Sequence, residues 1–254
     1  MRERWRMHTR RTRELALAAI ESGESVSAVS RRLGVHRSTL RAWSRDPGSR
    51  AEDDGCPQCT GCGVDGSAYA ALLGFYLGDG CLSQTPRYVT FRVSCDASYP
   101  QIIDDVTALM KLARSGIRVS EIRAPGTRVV QSHWKHWPCL FPQHGPGRKH
   151  ERPIVLEAWQ RQIVEAHPGD FLRGLFHSDG SRTANWAQRM VNGRLKRYDY
   201  PRWEFVNRSD DILALCAWAL DLCEIRWRRP RPVCVAVSRR DDVHRLDDLI
   251  GQKA

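Results

Sequence analysis

Two apolar stretches far apart in the chain end on the same polar step. Leu72-Leu73-Gly74-Phe75-Tyr76-Leu77-Gly78-Asp79-Gly80 and Leu172-Arg173-Gly174-Leu175-Phe176-His177-Ser178-Asp179-Gly180 place their aspartates one hundred residues apart. Each carries small residues four positions apart, Gly74 with Gly78 and Gly174 with Ser178. On a helix that spacing lies on one face and lets two backbones approach closely. The pattern predicts two helices packed side by side, with Asp79 and Asp179 adjacent at one end. Gly80 and Gly180 are expected to stop the helices in the left-handed conformation. The plain alternative is a pair of glycine-containing core helices capped by chance aspartates.

The elements downstream of each stretch repeat as well. Arg87 to Ser94 alternates as a strand, and Tyr99 to Ser115 has helical periodicity through Ile102, Ile103, Val106, Leu109, Met110 and Leu112. Strands are predicted at Ile117 to Ile122 and Arg128 to Ser132, with Pro125-Gly126 as the turn. After Asp179 the order returns: a strand at Arg202 to Asn207, a helix from Ser209 to Cys223, and strands at Ile225 to Arg228 and Val233 to Ser238 around Pro230-Arg231-Pro232. A last helix runs from about Asp241 to Ile250. In Tyr200 to Asn207, Arg202 and Glu204 should share one sheet face and Trp203 and Phe205 the other. The tryptophans, Trp134, Trp137, Trp159, Trp203 and Trp218 among them, are expected to fill core volume.

The first fifth of the chain has a different pattern. Arg11 to Ser22 reads as an amphipathic helix built on Leu15, Ala18, Ala19 and Ile20. Two shorter helices come next, Ser25 to Leu33 and His36 to Arg45, broken by Gly34-Val35 and with Val26, Val29, Leu33, Val35, Leu40 and Trp43 at core spacing. Two short helices joined through a glycine look like a helix-turn-helix, whose second helix would present Arg37, Ser38, Thr39, Arg41 and Arg45 to a major groove. The alternative is a basic three-helix module that docks on protein. Asp46 to Gly55 then reads as a linker.

Composition sharpens this picture at three points. The 41% hydrophobic content suits a globular core, and the absence of eighteen consecutive apolar residues argues against a membrane span. The Arg-rich start lacks an apolar signal core, so a cytoplasmic, nucleoid-associated location is expected. The net charge of +11 calls for a polyanionic partner, and residues 1–50 hold twelve Arg against five acids. Double-stranded DNA is the expected partner.

Cys56-Pro57-Gln58-Cys59-Thr60-Gly61-Cys62 contains a Cys-x-x-Cys, half of a zinc knuckle. Cys62, Cys81, Cys139 or His144 could complete a Zn2+ site around Cys56 and Cys59; reduced thiols or a redox pair are the alternatives. At the paired helix ends, two adjacent carboxylates repel unless a divalent cation lies between them, which points to Mg2+.

The two apolar stretches resemble the paired motifs of LAGLIDADG homing endonucleases, more closely the version found in inteins and their free-standing relatives. The resemblance covers roughly Ser67 to Gly251. It implies an α+β fold in which an αββαββα unit occurs twice, a monomeric pseudo-dimer, preceded here by the small all-α helix-turn-helix domain. Expected divisions are 1–48 for that domain, 49–66 for the linker, and 67–167 and 168–254 for the two subdomains. It also implies a magnesium-assisted, site-specific DNA endonuclease, with Asp79 and Asp179 as catalytic metal ligands. In the intein-type enzymes a lysine often precedes the second motif helix near a proline; Gly147 to Ile154 occupies that place, making Lys149 the third catalytic candidate and Arg152 its substitute. The matching stretch of the second half, Ser238-Arg239-Arg240, has no lysine, which leaves Arg240 as a phosphate contact and breaks the symmetry. The sixth motif position is Leu77 in one copy and His177 in the other.

A saddle of sheet arginines, Arg92, Arg123, Arg128, Arg182, Arg202 and Arg228, would track a duplex. No Cys or Ser stands at residue 1 and no His-Asn at the end, so a free-standing enzyme is expected rather than an intein. The reading of another class is a DNA-binding transcriptional regulator whose nuclease fold no longer cleaves.

Overall fold

The computed structural model describes residues 10–45, 56–85, 88–114, 116–251 and 253. The linker expected at Asp46 to Gly55, the strand start at Arg87 and the helix end at Ser115 lie outside the described residues.

Three helices come first: α1 (Arg10–Glu21), α2 (Val26–Leu33) and α3 (Arg37–Arg45). The Ser25 hydroxyl caps α2 by accepting from the Ala28 N–H, and Gly34 ends it in the left-handed conformation at φ 65°. Their small core is Ala16, Val29, Val35 and Leu40, with Ile20, Val26, Leu33 and Trp43 packed against it. Leu15, expected inside, is 50% exposed, and Ala16 takes its place. In the sequence the Leu15 and Ala16 registers are both apolar, and only the partner helices select between them.

The rest of the chain is a duplication. The short α4 (Pro57–Thr60) leads into α5 (Gly66–Leu77), β1 (Gly80–Gln84), β2 (Val89–Asp96), α6 (Pro100–Ala113), β3 (Val119–Ala124) and β4 (Thr127–His133). After α7 (Trp137–Leu140), a 3-10 turn at Lys149–Glu151 and α8 (Ala158–Ala166), the order begins again. It continues as α9 (Pro168–Asp179), β5 (Gly180–Val191), β6 (Arg194–Val206), α10 (Asp210–Leu222), β7 (Arg228–Arg231), β8 (Cys234–Val237) and α11 (Arg240–Ile250). Both sheets are antiparallel and share one strand order, β1-β2-β4-β3 and β5-β6-β8-β7. Each half therefore runs αββαββα, and the protein is α+β.

α5 and α9 form the spine. Every residue of α5 from Ala68 to Leu77 is buried, which is why this helix is apolar on all sides. A methyl group at Gly74 would lie 2.5 Å from the Phe171 carbonyl oxygen and 2.9 Å from the Gly174 Cα; one at Gly174 would lie 2.8 Å from the Phe75 nitrogen. The two helices thus touch backbone to backbone where the repeated small residues predict. Tyr76, Phe91, Trp137 and Phe141 stack on one side of the spine, and Phe176, Trp203 and Phe205 on the other.

Several boundaries differ from the sequence expectation. β3 begins at Val119 rather than Ile117, and β7 takes in Pro230 and Arg231, which were expected in the turn. β5 and β6 form a hairpin far longer than the strand expected at 202–207, turning at Asn192-Gly193 with φ of 50° and 73°. Only Trp203 to Val206 of β6 pairs with β8, so most of the hairpin stands free of the sheet as a two-stranded ribbon. Gly80 and Gly180 are not left-handed. They are needed for space instead: a Cβ on Gly80 would come 2.5 Å from the Tyr76 Cα, and one on Gly180 2.7 Å from the Phe176 Cα.

Candidate active site at the paired helix ends

The close packing of α5 on α9 carries both aspartates to one end of the spine. A side chain on Gly78 would overlap Ser178 and reach within 3.5 Å of an Asp179 carboxylate oxygen, so the motif ends are in direct contact. Ser178 turns its hydroxyl back to the Gly174 carbonyl at 2.9 Å. Asp79 keeps a face open to solvent, yet the protein packed around it pushes its carboxyl pKa up to about 6, with Asp179 adding to the rise. Burial also raises Asp179, opposed by a hydrogen bond from the Asn207 amide at 2.8 Å. Two neighbouring carboxyls made reluctant to ionise are a pair that a cation would relieve.

Two lysines lie at the same place. Lys149 Nζ donates to the carbonyls of Tyr76 at 2.7 Å, Leu77 at 2.8 Å and Gly80 at 2.9 Å, and to that of Gly78. Lys253 Nζ does the same at the end of α9, donating to Gly180 at 2.7 Å, Ser178 at 3.2 Å and Phe176 at 3.4 Å. Carbonyls at a helix C-terminus are short of donors and carry the negative end of the helix dipole, so an ammonium is well placed there. Burial lowers the Lys149 pKa to about 8, with Asp179 and then Asp79 holding it up. Lys253 is lowered for the same reason, opposed by Asp79 first and then by Asp179 and Asp96.

The pairing is crossed. A cavity of about 340 Å³ is lined by Asp79, Cys95, His177 and Lys253; a second, of about 750 Å³, by Asp179, Asn207, Lys149 and Arg152. Each aspartate thus shares a cavity with the lysine of the opposite half. Residues of both α5 and α9 line each cavity.

The arrangement is two αββαββα halves joined along the α5–α9 spine. The family described as a homeodomain-like domain matches residues 7–52. Among solved structures, a mesophilic variant of the homing endonuclease I-DmoI is similar at 13% identity, over 74% of this chain and 97% of that one, with a TM-score of 0.48. The N-terminal LAGLIDADG domain of DUF199/WhiA is similar at 19% identity, over 75% and 85%, with a TM-score of 0.46. The LAGLIDADG meganuclease I-AabMI bound to uncleaved DNA gives 14%, 71% and 82%, with a TM-score of 0.43. No curated protein matches the sequence.

Asp79, Asp179 and Lys149 are therefore brought together. Arg240 is not the counterpart of Lys149: it opens α11 as an exposed side chain, and Lys253 takes the place expected of Ser238-Arg239-Arg240. Arg152 ties its own loop, donating to the carbonyls of Gly147 at 2.8 Å and Gln143 at 3.2 Å. His177 is pushed down to about 4 by burial and so stays neutral against Phe75. Asn207, two residues beyond the Phe205 that pairs with Gly180, corresponds to Cys95, two beyond the Val93 that pairs with Gly80. The two carboxylates therefore have unlike neighbours.

The candidate DNA contacts divide in the same way. Arg37, Ser38, Arg41 and Arg45 are exposed along α3, and Thr39 is half-buried. The Ser38 hydroxyl is engaged with His36 Nδ1 at 2.6 Å. Arg92 lies across its sheet, donating to Gln131 at 3.2 Å and Ser83 at 3.1 Å, while Arg202 is ion-paired with Glu204 at 2.5 Å. Arg123 and Arg228 are exposed, whereas Arg182 is held by both oxygens of Asp247. Among the described residues no helix is long and apolar enough to cross a membrane.

Proposed function

We propose that this protein is a site-specific double-strand DNA endonuclease of the LAGLIDADG homing type. The observation that carries the proposal is the crossed arrangement in which each motif aspartate shares a cavity with the lysine of the other half. Asp79 and Asp179 offer hard carboxylate oxygens with raised pKa values, a donor set suited to magnesium. Bound there, the metal would activate water and take up charge on the phosphoryl group. Lys149 and Lys253, anchored to carbonyls, hold positive charge beside it without moving. Two such centres, each with an aspartate from one half and a lysine from the other, suit one cut in each strand.

Duplex DNA fits the rest of the chain. Residues 1–48 would form the helix-turn-helix domain and 49–66 the linker, with 67–167 and 168–254 as the two subdomains on the duplex. The β5–β6 ribbon adds Arg189, Arg194, Lys196 and Arg197, all exposed, to this surface, and a two-stranded ribbon fits a major groove. Deleting residues 1–50 is expected to weaken duplex binding and flatten its salt dependence, each lost phosphate contact reducing the slope by about 0.9. Unchanged affinity and slope on filter binding would turn the N-terminal domain into a protein-docking module.

The test of activity is single-turnover cleavage of a random duplex library in magnesium, monitored against pH. Below about 6 the Asp79 carboxyl holds a proton that competes with the cation, so cleavage should rise as pH increases through that value. Above about 8 the Lys149 ammonium loses its proton and cleavage should decline. A duplex that is bound but left intact at every pH would assign the protein to DNA-binding regulation instead.

A further inference from the structure

The cysteines of the 56–62 segment serve no purpose in the cleavage site, and the structure gives them partners from far along the chain. Cys56 caps α4 and Cys59 lies within it; His136 caps α7 and Cys139 lies within it. Two short helical turns, eighty residues apart, thus present the same three-residue spacing to one another. The four ligand atoms all lie within 4.8 Å of one another. Cys59 Sγ is 3.7 Å from Cys139 Sγ and 3.3 Å from His136 Nδ1, and Cys139 Sγ is 3.5 Å from the same nitrogen.

Those separations match a metal centre and not a disulfide. A disulfide would need about 2.05 Å between sulfurs, and Cys59 and Cys139 hold theirs 3.7 Å apart. Around tetrahedral zinc, with Zn–S of about 2.3 Å and Zn–N of about 2.0 Å, neighbouring sulfurs lie about 3.8 Å apart and a sulfur and nitrogen about 3.5 Å apart. The three edges among Cys59, His136 and Cys139 are close to those of that tetrahedron. Thiolates and an imidazole select zinc and not magnesium.

We infer that Cys56, Cys59, His136 and Cys139 form a structural zinc site that fastens the entry to α5 to the segment that leads to Lys149. Helices of four residues have no stability of their own, and α4 and α7 are both that short. A shared ion supplies what their length lacks. Its position matters for the rest of the molecule: α5 starts a few residues after Cys62, on the Asp65 cap, and the loop carrying Lys149 starts a few residues after α7. Cys62 and Cys81 are exposed and outside the group, and His144 lines the Asp179 cavity instead, so of the expected ligands Cys139 joins and His136 replaces His144.

The experiment is metal analysis of the full chain purified without added metal, then cobalt titration of the reduced, metal-free protein. One zinc per chain is expected, and one equivalent of cobalt should give the visible absorption of a tetrahedral thiolate complex that zinc displaces. Cys59→Ser and Cys139→Ser should each weaken cobalt binding by about 100-fold or more, and Cys62→Ser should leave it unchanged. Chelation of the parent protein should lower its unfolding temperature, a readout that stands even where a variant fails to fold. No zinc and no cobalt spectrum from fully reduced protein, a Cys59–Cys139 disulfide in the native mass, or undiminished binding by Cys139→Ser would each overturn the assignment. None of these readouts depends on DNA cleavage.

Discussion

Gly174→Ala is expected to lower the stability of the protein by about 3 kcal/mol or more, enough to shift thermal unfolding by several degrees or abolish folding. Helix propensity alone argues the other way, since alanine exceeds glycine by about 1 kcal/mol in a helix interior. Sterics decide the sign. The added methyl would overlap the Ala71 carbonyl oxygen and lie 2.8 Å from the Phe75 nitrogen, and both are backbone atoms of a helix that cannot yield locally. The spine would have to open, disturbing Phe75, Tyr76 and Phe176, which are packed on either side. Chemical unfolding of the variant beside the parent checks this. An equal or higher unfolding midpoint would mean that α5 and α9 are not in backbone contact.

The spine was legible because its constraint falls on residue type. Only small residues allow this approach, so Gly74, Gly78, Gly174 and Ser178 announce it without any partner being known. The helix-turn-helix was legible for a related reason, the spacing of Val29, Val35 and Leu40. The β5–β6 ribbon was not. Beyond Trp203 and Phe205 its strands pack on no core, so Trp186, Met190, Leu195 and Tyr198 remain exposed and no inward face imposes alternation there. The signal that could have found it is Asn192-Gly193, a dipeptide suited to a tight hairpin.

Lys253 was missed because its role lies in long-range geometry and not in a local motif. Its distance in sequence does carry a trace: Lys149 comes seventy residues after Asp79, and Lys253 seventy-four after Asp179. The duplication that relates the aspartates therefore relates the lysines too. His136 was passed over for His144 because the stretch from His133 to His144 offers three histidines, and only the turn of α7 selects the one facing Cys59.

If the crossed aspartate and lysine pairs are two cleavage centres, each acting on one strand, removing a charge from one pair should cripple that centre and spare the other. Lys149→Met should slow cutting of the strand served by Asp179, and Lys253→Met the opposite strand, each by about 10²-fold or more. Asp79→Asn or Asp179→Asn keeps the side chain's size but removes a charge that a hard cation needs, so double-strand cleavage should be lost while binding in calcium persists. The decisive measurement is strand-resolved cleavage of an end-labelled duplex by the parent and the two lysine variants in magnesium. Two crossed centres should give two cut strands for the parent and nicks in opposite strands for the variants; a parent that binds the duplex but cuts neither strand, or variants that slow both strands alike, would contradict them.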